Sequence, residues 1–479
     1  MALRDIEHDV KDPIDSVNPS DGDMAVEGIS VDWSVAEENK ARRKIDFILM
    51  PLLILGFFAL QLDRANIGSA LTSSITEDLG ITTNEINVGN QLLSLDIFVL
   101  EIPSNVLLMR VGPRVWLSCQ IIAWGLVATF QAFIRNYPAY LATRLLLGCM
   151  EAGFIPGCLY LMGSWYKGNE SRVRVTTFYL GQNFATATSS LLGAGLLKLD
   201  GHLGLEGWRW IFLVDGFITI VIGIVFILFI PPSVGDGKPL ICFGRWSYFT
   251  EKESLILVNR VILDDPSKMN ESKARLGGQD ILEFMKKPKK WLHVLITMSS
   301  VCAVHSLSTY GPRMLKSSGF STTNANAMYS VSAYGAMFFN FTLAYLADRV
   351  GHTGPFTLFA ATWNVIVYSC MVNLDQYSKW SRYAALVLAG VPYYAVHALN
   401  VGWMASTYTS VQDRSIFSAF IIMASNLAGI PAGQIFRADD APFYRRGATI
   451  PCALAGLCWV LVAILGLWNR HGQKKARNA

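Results

Sequence analysis

The chain has 479 residues, of which 52% are hydrophobic and 16% are charged, and its formal net charge is +4. With a mean hydropathy of +0.35, this composition is typical of a membrane protein and excludes a set of soluble domains. The small net charge gives no reason to expect nucleic acid as a partner. The eight cysteines form no CxxC pair and no ligand spacing with histidine, so we expect neither a metal nor another cofactor.

Apolar runs fill most of the chain after a polar, acidic start that lacks a signal peptide. We predict an all-α membrane protein in which about twelve transmembrane helices form two pseudo-symmetric six-helix halves. The predicted parts are a disordered cytoplasmic tail (1–44), an N-terminal half (45–232), a cytoplasmic linker (233–290), a C-terminal half (291–468) and a cytoplasmic tail (469–479). A short amphipathic helix is expected in the linker, from Glu251 to Leu263.

Basic residues indicate the orientation of the helices in the membrane. Lys and Arg collect near residues 40–44, 110–114, 167–174, 286–290 and 470–477, whereas the loop 72–85 has none. Because short cytoplasmic loops are enriched in these residues, both termini are predicted to be cytoplasmic. The last external loop, which contains three arginines, is an exception.

Two groups of charged residues interrupt the apolar runs: Asp63 with Arg64, and Arg144 with Glu151. A charged side chain at bilayer depth costs roughly 2.5 to 3.5 kcal/mol, so such residues generally face a cavity or a partner. On one helix, Arg144 and Glu151 would lie within about 20° of each other and about 10.5 Å apart along the axis. We therefore expect a polar pocket shared by the four residues, with Arg144 and Glu151 coupled through the cavity or through another helix.

Other intramembrane polar residues are candidates for completing this pocket, namely Gln182, Asn183, Tyr310 and Asn426. Asp96 and Glu101 are about 140° apart on a helix, so at least one of them is expected to be structural. Asp215, His305 and His397 are lone intramembrane polar residues; both histidines are expected to be satisfied core residues, and the role of Asp215 stays open.

The two halves contain a weakly similar short sequence at equivalent positions. Arg110 lies in Met109-Arg110-Val111-Gly112 after the second predicted span, and the equivalent place after the eighth has Asp348-Arg349-Val350-Gly351. Such an internal repeat indicates duplication of a six-helix unit.

Short motifs along the chain resemble those of the major facilitator superfamily, in particular the fungal allantoate, nicotinate and pantothenate permease branch of the anion:cation symporter family. They are Leu62-Asp63-Arg64-Ala65-Asn66-Ile67-Gly68, Glu101-Ile102-Pro103-Ser104-Asn105, Arg144 to Gly153, Gly207-Trp208-Arg209-Trp210, Thr309-Tyr310-Gly311-Pro312 and Asp439-Asp440-Ala441-Pro442. The resemblance covers nearly the whole chain after residue 40.

The resemblance implies a proton-coupled symporter that imports a small organic anion across the plasma membrane as a monomer. It implies that Arg64 and Arg144 hold the anion and that Asp63 and Glu151 take up and release protons. Arginine can grip a carboxylate with two parallel hydrogen bonds, whereas the protonation of a buried carboxyl group responds to its surroundings.

The family's loop motif implies a gating role for Arg110, Asp348 and Arg349. The first copy has Met109 where the family usually has aspartate, so the gate is expected to depend mainly on the second copy.

Two other functions remain open at this stage: export of an acidic secondary metabolite, and a nutrient receptor that binds the anion without transporting it. The chain has no GxxxxGK[ST] loop, so ATP hydrolysis is not its energy source. No catalytic motif rises above chance, and we predict that the chain is not an enzyme.

Overall fold

The computed structural model describes residues 32–264, 286–392, 394–407 and 411–477. Within these ranges all regular elements are helical. The first helices are α1 (Val35–Ala70), α2 (Thr83–Val111), α3 (Pro113–Gln131), α4 (Tyr137–Glu151), α5 (Phe154–Trp165), α6 (Gly168–Leu196), α7 (Gly207–Phe229) and α8 (Glu251–Asp264). They are followed by α9 (Pro288–Ser317), α10 (Thr322–Val350), α11 (Thr353–Met371), α12 (Lys379–Gly390), α13 (Ala395–Thr407), α14 (Val411–Ala432) and α15 (Arg445–Arg477).

Among the described residues, 7 helical segments are long and apolar enough to cross a membrane, with α4–α5 and α12–α13 each counted as one segment. This confirms the prediction of an all-helical membrane protein. The other long helices, α3, α6, α10, α11 and α14, lie where further spans are expected. The count of twelve spans stays a prediction.

Helix α1 is longer than the sequence pattern indicates, because it has a capping box at its start. The Ser34 hydroxyl accepts a hydrogen bond from the Glu37 amide (3.3 Å), and the Glu37 carboxylate accepts one from the Ser34 amide (2.9 Å). Residues 35–44, predicted as part of a disordered tail, are therefore helical. At its other end α1 continues to Ala70, so Asp63 and Arg64 lie inside the helix rather than close to its end.

A break separates α4 from α5 immediately after Glu151. Gly153 has φ of 79°, a conformation that strains residues with a Cβ atom. An added Cβ at Gly153 would also lie 2.5 Å from the Ser104 hydroxyl oxygen of α2. The Gln120 side-chain amide of α3 donates to the carbonyl oxygens of Ala152 (2.7 Å) and Met150 (3.1 Å), which satisfies carbonyl groups that the break leaves without helical partners.

One end of the helix bundle, where α1 and α6 begin, is held by ion pairs; we call it the basic end. The linker helix α8 packs there against α1 and α5. The fully buried Arg260 guanidinium of α8 lies 3.1 Å from both Glu170 carboxylate oxygens and donates to the Trp165 carbonyl (3.2 Å). The helix predicted from Glu251 to Leu263 is thus present and is docked on the first half.

The ion pair between Glu253 of α8 and Lys44 of α1 (2.7 Å) adds to this docking. Burial raises the pKa of Glu253, but hydrogen bonds from Lys44 and from Thr250 lower it more, and the net shift is downward. The pair therefore contributes at neutral pH and is lost only as acidification protonates Glu253.

The opposite end of the bundle joins the two halves. Hydrogen bonds there link Lys316 Nζ to the Thr72 carbonyl (2.6 Å) and Asn326 to the Thr72 hydroxyl (2.7 Å). Gln91 of α2 donates to the Ile430 carbonyl of α14 (2.9 Å). One apolar cluster also spans both halves at this end. Between described residues, the hydrogen bonds that join the halves lie at this end, apart from the bond of Asn426 to Glu101 deeper in the bundle, and none lies at the basic end.

The substitution Gly153→Ala is expected to lower stability by about 1 to 3 kcal/mol, because it strains the backbone and displaces Ser104. The matched control is Gly163→Ala in α5, where an added Cβ meets nothing within 4 Å. Thermal unfolding of the two purified variants in detergent measures the difference in their stability. An unfolding temperature for Gly153→Ala at or above that of the control would contradict the proposed role of the break.

The substitution Arg260→Gln should release α8, since it leaves Glu170 without its buried partner, a loss on the order of 3 kcal/mol. We expect faster chymotrypsin cleavage at the leucines of α8. The exposed Arg245, which forms no ion pair with the described residues, supplies the control Arg245→Gln. Equal cleavage rates in the two variants would show that Arg260 does not hold the helix.

Candidate functional site

The centre of the site is a buried ion pair between α1 and α4. Arg64 Nε donates to Glu151 Oε2 at 2.6 Å, and the Glu151 side chain is fully buried. The second carboxylate oxygen, Oε1, has no hydrogen-bond partner among the described residues. The direct ion pair of Glu151 is therefore with an arginine of another helix, whereas Arg144 of its own helix interacts with it only electrostatically.

Arg144 lies beside this pair with unused hydrogen-bonding capacity. It is 1% exposed, and its Nε and Nη2 atoms have no partner among the described residues. Its guanidinium carbon lies 5.3 Å from the centre of the Tyr140 ring, a cation–π contact that helps to hold the charge. A buried guanidinium with free N–H groups is costly, and an anion that accepts hydrogen bonds from it would remove that cost.

Asp63 lies on the α7 side of α1. Its Oδ2 accepts a hydrogen bond from the Thr219 hydroxyl (3.2 Å), and its Oδ1 has no partner among the described residues. Asp63 interacts electrostatically with Asp215, Glu151 and Arg144. Three carboxyl groups thus share one buried region with two arginines.

Asp215 of α7, whose role the sequence leaves open, lies in the same buried region. It is 0% exposed, and its carboxylate interacts with the Asn66 side chain of α1, although no hydrogen bond of good geometry to a described residue satisfies either oxygen. The sequence gives little signal for Asp215, because the other charged residue of α7, Arg209, lies six positions away. The Gly207-Trp208-Arg209-Trp210 motif, two turns earlier in the same helix, is the signal that could have drawn attention to it.

A further polar contact crosses between the halves. The Asn426 side-chain amide of α14 donates to Glu101 Oε2 of α2 at 2.8 Å. Glu101 is only 7% exposed, and it interacts electrostatically with Arg64. Asn426 was predicted to contact the substrate, but here its amide is bonded to a residue that the sequence left unassigned.

The remaining predicted substrate residues lie in different places. Gln182 is half-buried on α6, and the side chain of Asn183 lies outside the described residues. Tyr310 is 2% exposed and its hydroxyl donates to Asn87 of α2, which in turn donates to the Phe436 carbonyl (2.9 Å). The structure therefore places Tyr310 in the contact that joins the two halves and does not group it with the arginines.

The predicted gating residues, Arg110, Asp348 and Arg349, are exposed at the basic end. Arg349 Nη1 donates to the Tyr345 hydroxyl (3.2 Å) one turn earlier in α10. Between described residues none of the three forms an ion pair. Their gating role stays a prediction.

The histidines of the second half are close to polar partners. His397 Nδ1 lies 3.4 Å from the Thr297 hydroxyl, which also accepts a hydrogen bond from Asn400 (3.1 Å). His305 interacts electrostatically with Arg64, so α9 brings an imidazole of the second half toward the ion pair. The described residues contain no group of three or more His, Cys, Asp or Glu side chains that could hold a metal ion.

Comparison with known proteins identifies this fold. The family model described as Major Facilitator Superfamily matches residues 53–433. An uncharacterized transporter of Saccharomyces cerevisiae is 29% identical over 425 residues, which cover 87% of this chain and 77% of the relative. The major facilitator-type transporter hxnP of Emericella nidulans is 26% identical over 435 residues, covering 89% and 85%. An Agrobacterium vitis protein, provisionally named a tartrate transporter, is 27% identical over 303 residues, covering 63% and 66%.

Solved structures show the same fold. The xylose transporter XylE from E. coli, in a partially occluded inward-open conformation, superposes with a TM-score of 0.66 at 12% identity over 86% of this chain and 97% of that chain. A bacterial homologue of the lysosomal transporter Spinster, in an inward-facing and occupied conformation, gives 0.63 at 16% identity over 88% and 96%. Since the matched proteins are transporters, the prediction that the chain is not an enzyme is confirmed. The chain belongs to the Major Facilitator Superfamily and is a membrane transporter.

Proposed function

We propose that this protein imports a small organic anion together with protons by alternating access. The observation that carries the proposal is the buried Arg144, whose unpartnered N–H groups lie in the same charged region as the Arg64–Glu151 ion pair. A neutral substrate could accept hydrogen bonds from these groups but would add no negative charge to pair with Arg144. A carboxylate would accept hydrogen bonds from Arg144. It would also accept them from Arg64 once the ion pair of Arg64 with Glu151 is broken.

The chemistry of the two arginines favours a carboxylate as the substrate. A guanidinium can bind both oxygens of a carboxylate, which gives geometric selectivity as well as charge. The name of the Agrobacterium vitis relative gives tartrate, an organic acid, as the substrate of that protein. This supports a carboxylate as the substrate here. Nicotinate, pantothenate and allantoate, the substrates implied by the resemblance to the anion:cation symporter branch, all belong to it.

Protons couple to the anion through Glu151. An ionised Glu151 holds Arg64 in the ion pair; a proton arriving on Glu151 removes the attraction and frees Arg64 to join Arg144 on the anion. After the anion leaves, Glu151 releases its proton to the cytoplasmic side of the membrane, and the Arg64–Glu151 ion pair forms again. Asp63 lies within electrostatic reach of Glu151 and is proposed as the second proton-carrying group.

We assign the described conformation to the inward-facing state after the anion has left. In the proposed orientation, twelve helices span the plasma membrane, both termini and the basic end are cytoplasmic, and the end joined through Thr72 and Tyr310 is external. The protein acts as a monomer. Opening to the outside then requires loss of the external contacts and of the Glu101–Asn426 bond, while Arg110, Asp348 and Arg349 close the cytoplasmic side.

Uptake of labelled anions tests this function. Cells that express the protein are given nicotinate, pantothenate, allantoate, tartrate or sulfate at pH 5 and pH 7.5, with and without a protonophore. We expect one organic anion to accumulate at pH 5 and to lose its accumulation with the protonophore. Failure of every anion to enter, with outward movement of a loaded acid from the same cells, would overturn import in favour of export.

Replacing Arg144 with lysine keeps the positive charge but removes the planar pair of N–H donors. We expect anion binding to weaken roughly 10- to 100-fold, measured by calorimetry on the purified protein with the transported anion. Arg135→Lys, at an exposed loop arginine, is the matched control and should bind normally. Unchanged affinity in Arg144→Lys would remove Arg144 from the anion site.

Replacing Glu151 with glutamine mimics a permanently protonated carboxyl group. Anion exchange across the membrane should persist, while accumulation driven by a pH gradient should fall to the background level. The control Glu77→Gln alters an exposed carboxylate. Gradient-driven accumulation with the wild-type pH dependence in Glu151→Gln would exclude Glu151 as the coupling acid.

A further inference from the structure

An open groove of about 750 Å³ runs along the outer face of α1 at the basic end; we call it the α1 groove. The residues that line it include Asn39, Lys40, Arg43, Lys44, Phe47 and Tyr248. Most of them lie three or four positions apart on α1, and residues with this spacing share one face of a helix. The groove is separate from the charged region around Arg64 and Glu151.

The chemistry of this face changes along the helix. Lys40 and Arg43 are exposed, whereas one turn further into the helix Phe47 is 80% exposed. The rise from Arg43 to Phe47 is about 6 Å, comparable to the headgroup layer of about 5 to 7.5 Å that separates water from the hydrocarbon core on one side of a bilayer. A basic section followed by an apolar section along one helix face matches a phospholipid, with its charged headgroup and its acyl chain.

Lys40 and Arg43 form no ion pair with the described residues. The neighbouring described acids have other partners: Glu37 is bonded to Lys252 (2.7 Å) and to Ser34, and Glu253 is paired with Lys44 (2.7 Å). Within the part of the chain that the structure describes, the α1 groove therefore keeps two cations without an acidic partner.

An exposed aromatic loop lies beside the groove. Tyr248, which forms one wall, donates its hydroxyl to the Phe229 carbonyl (3.2 Å), and its ring contacts Trp246 with centroids 5.1 Å apart. Trp246 is 48% exposed and Phe243 is 87% exposed. Aromatic side chains are favoured at the boundary between headgroups and hydrocarbon, so this loop indicates that the groove lies at membrane level.

We propose that the α1 groove binds one anionic phospholipid of the bilayer. Its headgroup lies between Lys40 and Arg43, and an acyl chain lies along Phe47 and Ile48. The headgroup supplies the negative charge that the two cations lack, and the acyl chain covers apolar surface next to them. The bound lipid also contacts α1 beside Lys44, the residue that pairs with α8.

Native mass spectrometry of the full-length protein in detergent tests this site, with phosphatidylserine or phosphatidylcholine added at equal concentrations. We expect one phosphatidylserine to bind more tightly than phosphatidylcholine. The double substitution Lys40→Gln/Arg43→Gln should weaken that binding about 30-fold, since each cation contributes to the attraction of an anionic lipid. Lys40→Arg/Arg43→Lys, which keeps both charges, should retain it.

The matched control is Lys286→Gln/Lys287→Gln, which removes two exposed cations from the same end of the molecule but outside the groove. Equal weakening in this control would overturn the proposal, because it would reduce the effect to overall charge. Equal binding of phosphatidylcholine would overturn it as well. Glycerophosphoserine, which has the headgroup without acyl chains, should not compete; full competition would show a site for soluble phosphate esters instead of a lipid.

Discussion

The ion pair between Arg64 and Glu151 is the constraint on which the site depends. Both charges lie among helices, where an unpaired ion is costly, and the pair joins α1 to α4 at 2.6 Å. Among the described residues, Nε and Nη2 of Arg144 and one oxygen of Glu151 have no hydrogen-bond partner. In the proposed function, an anion on the arginines and a proton on the glutamate would both stabilise this site, and the Arg64–Glu151 bond would link the binding of the two.

Local backbone structure places Glu151 where it can form this bond. Glu151 is the last residue of α4, and the break at Gly153 begins α5 in a new direction. Gly148, one turn before Glu151, lets α4 approach α2 so closely that an added Cβ would lie 2.9 Å from the Leu93 carbonyl oxygen. Because Gln120 satisfies the carbonyl groups at the break, the irregular backbone is tolerated inside a membrane protein. The motif from Arg144 to Gly153 thus encodes both the charges and the geometry that presents them.

The sequence predicts the helical membrane fold and the charged residues of the centre well, because an ion in an apolar run stands out without knowledge of the tertiary structure. Partners across helices are harder to predict. The pair Arg64–Glu151 joins residues 87 positions apart, and no spacing rule selects it over other combinations. Asn426 and Tyr310 were grouped with the substrate site because they are polar and intramembrane, yet they bond to Glu101 and Asn87 across the two halves. The early start of α1 depended on a capping box that lies outside the apolar run.

We propose that an anion and a proton cross the membrane in one transport cycle. The most direct test reconstitutes the protein in liposomes that contain a pH-sensitive dye and records proton entry together with uptake of the labelled anion. We expect the anion to acidify the interior of the liposomes, with proton entry in fixed proportion to anion entry and abolished when the anion is omitted. Anion entry without acidification would contradict proton coupling and would leave the Arg64–Glu151 pair as a purely structural contact.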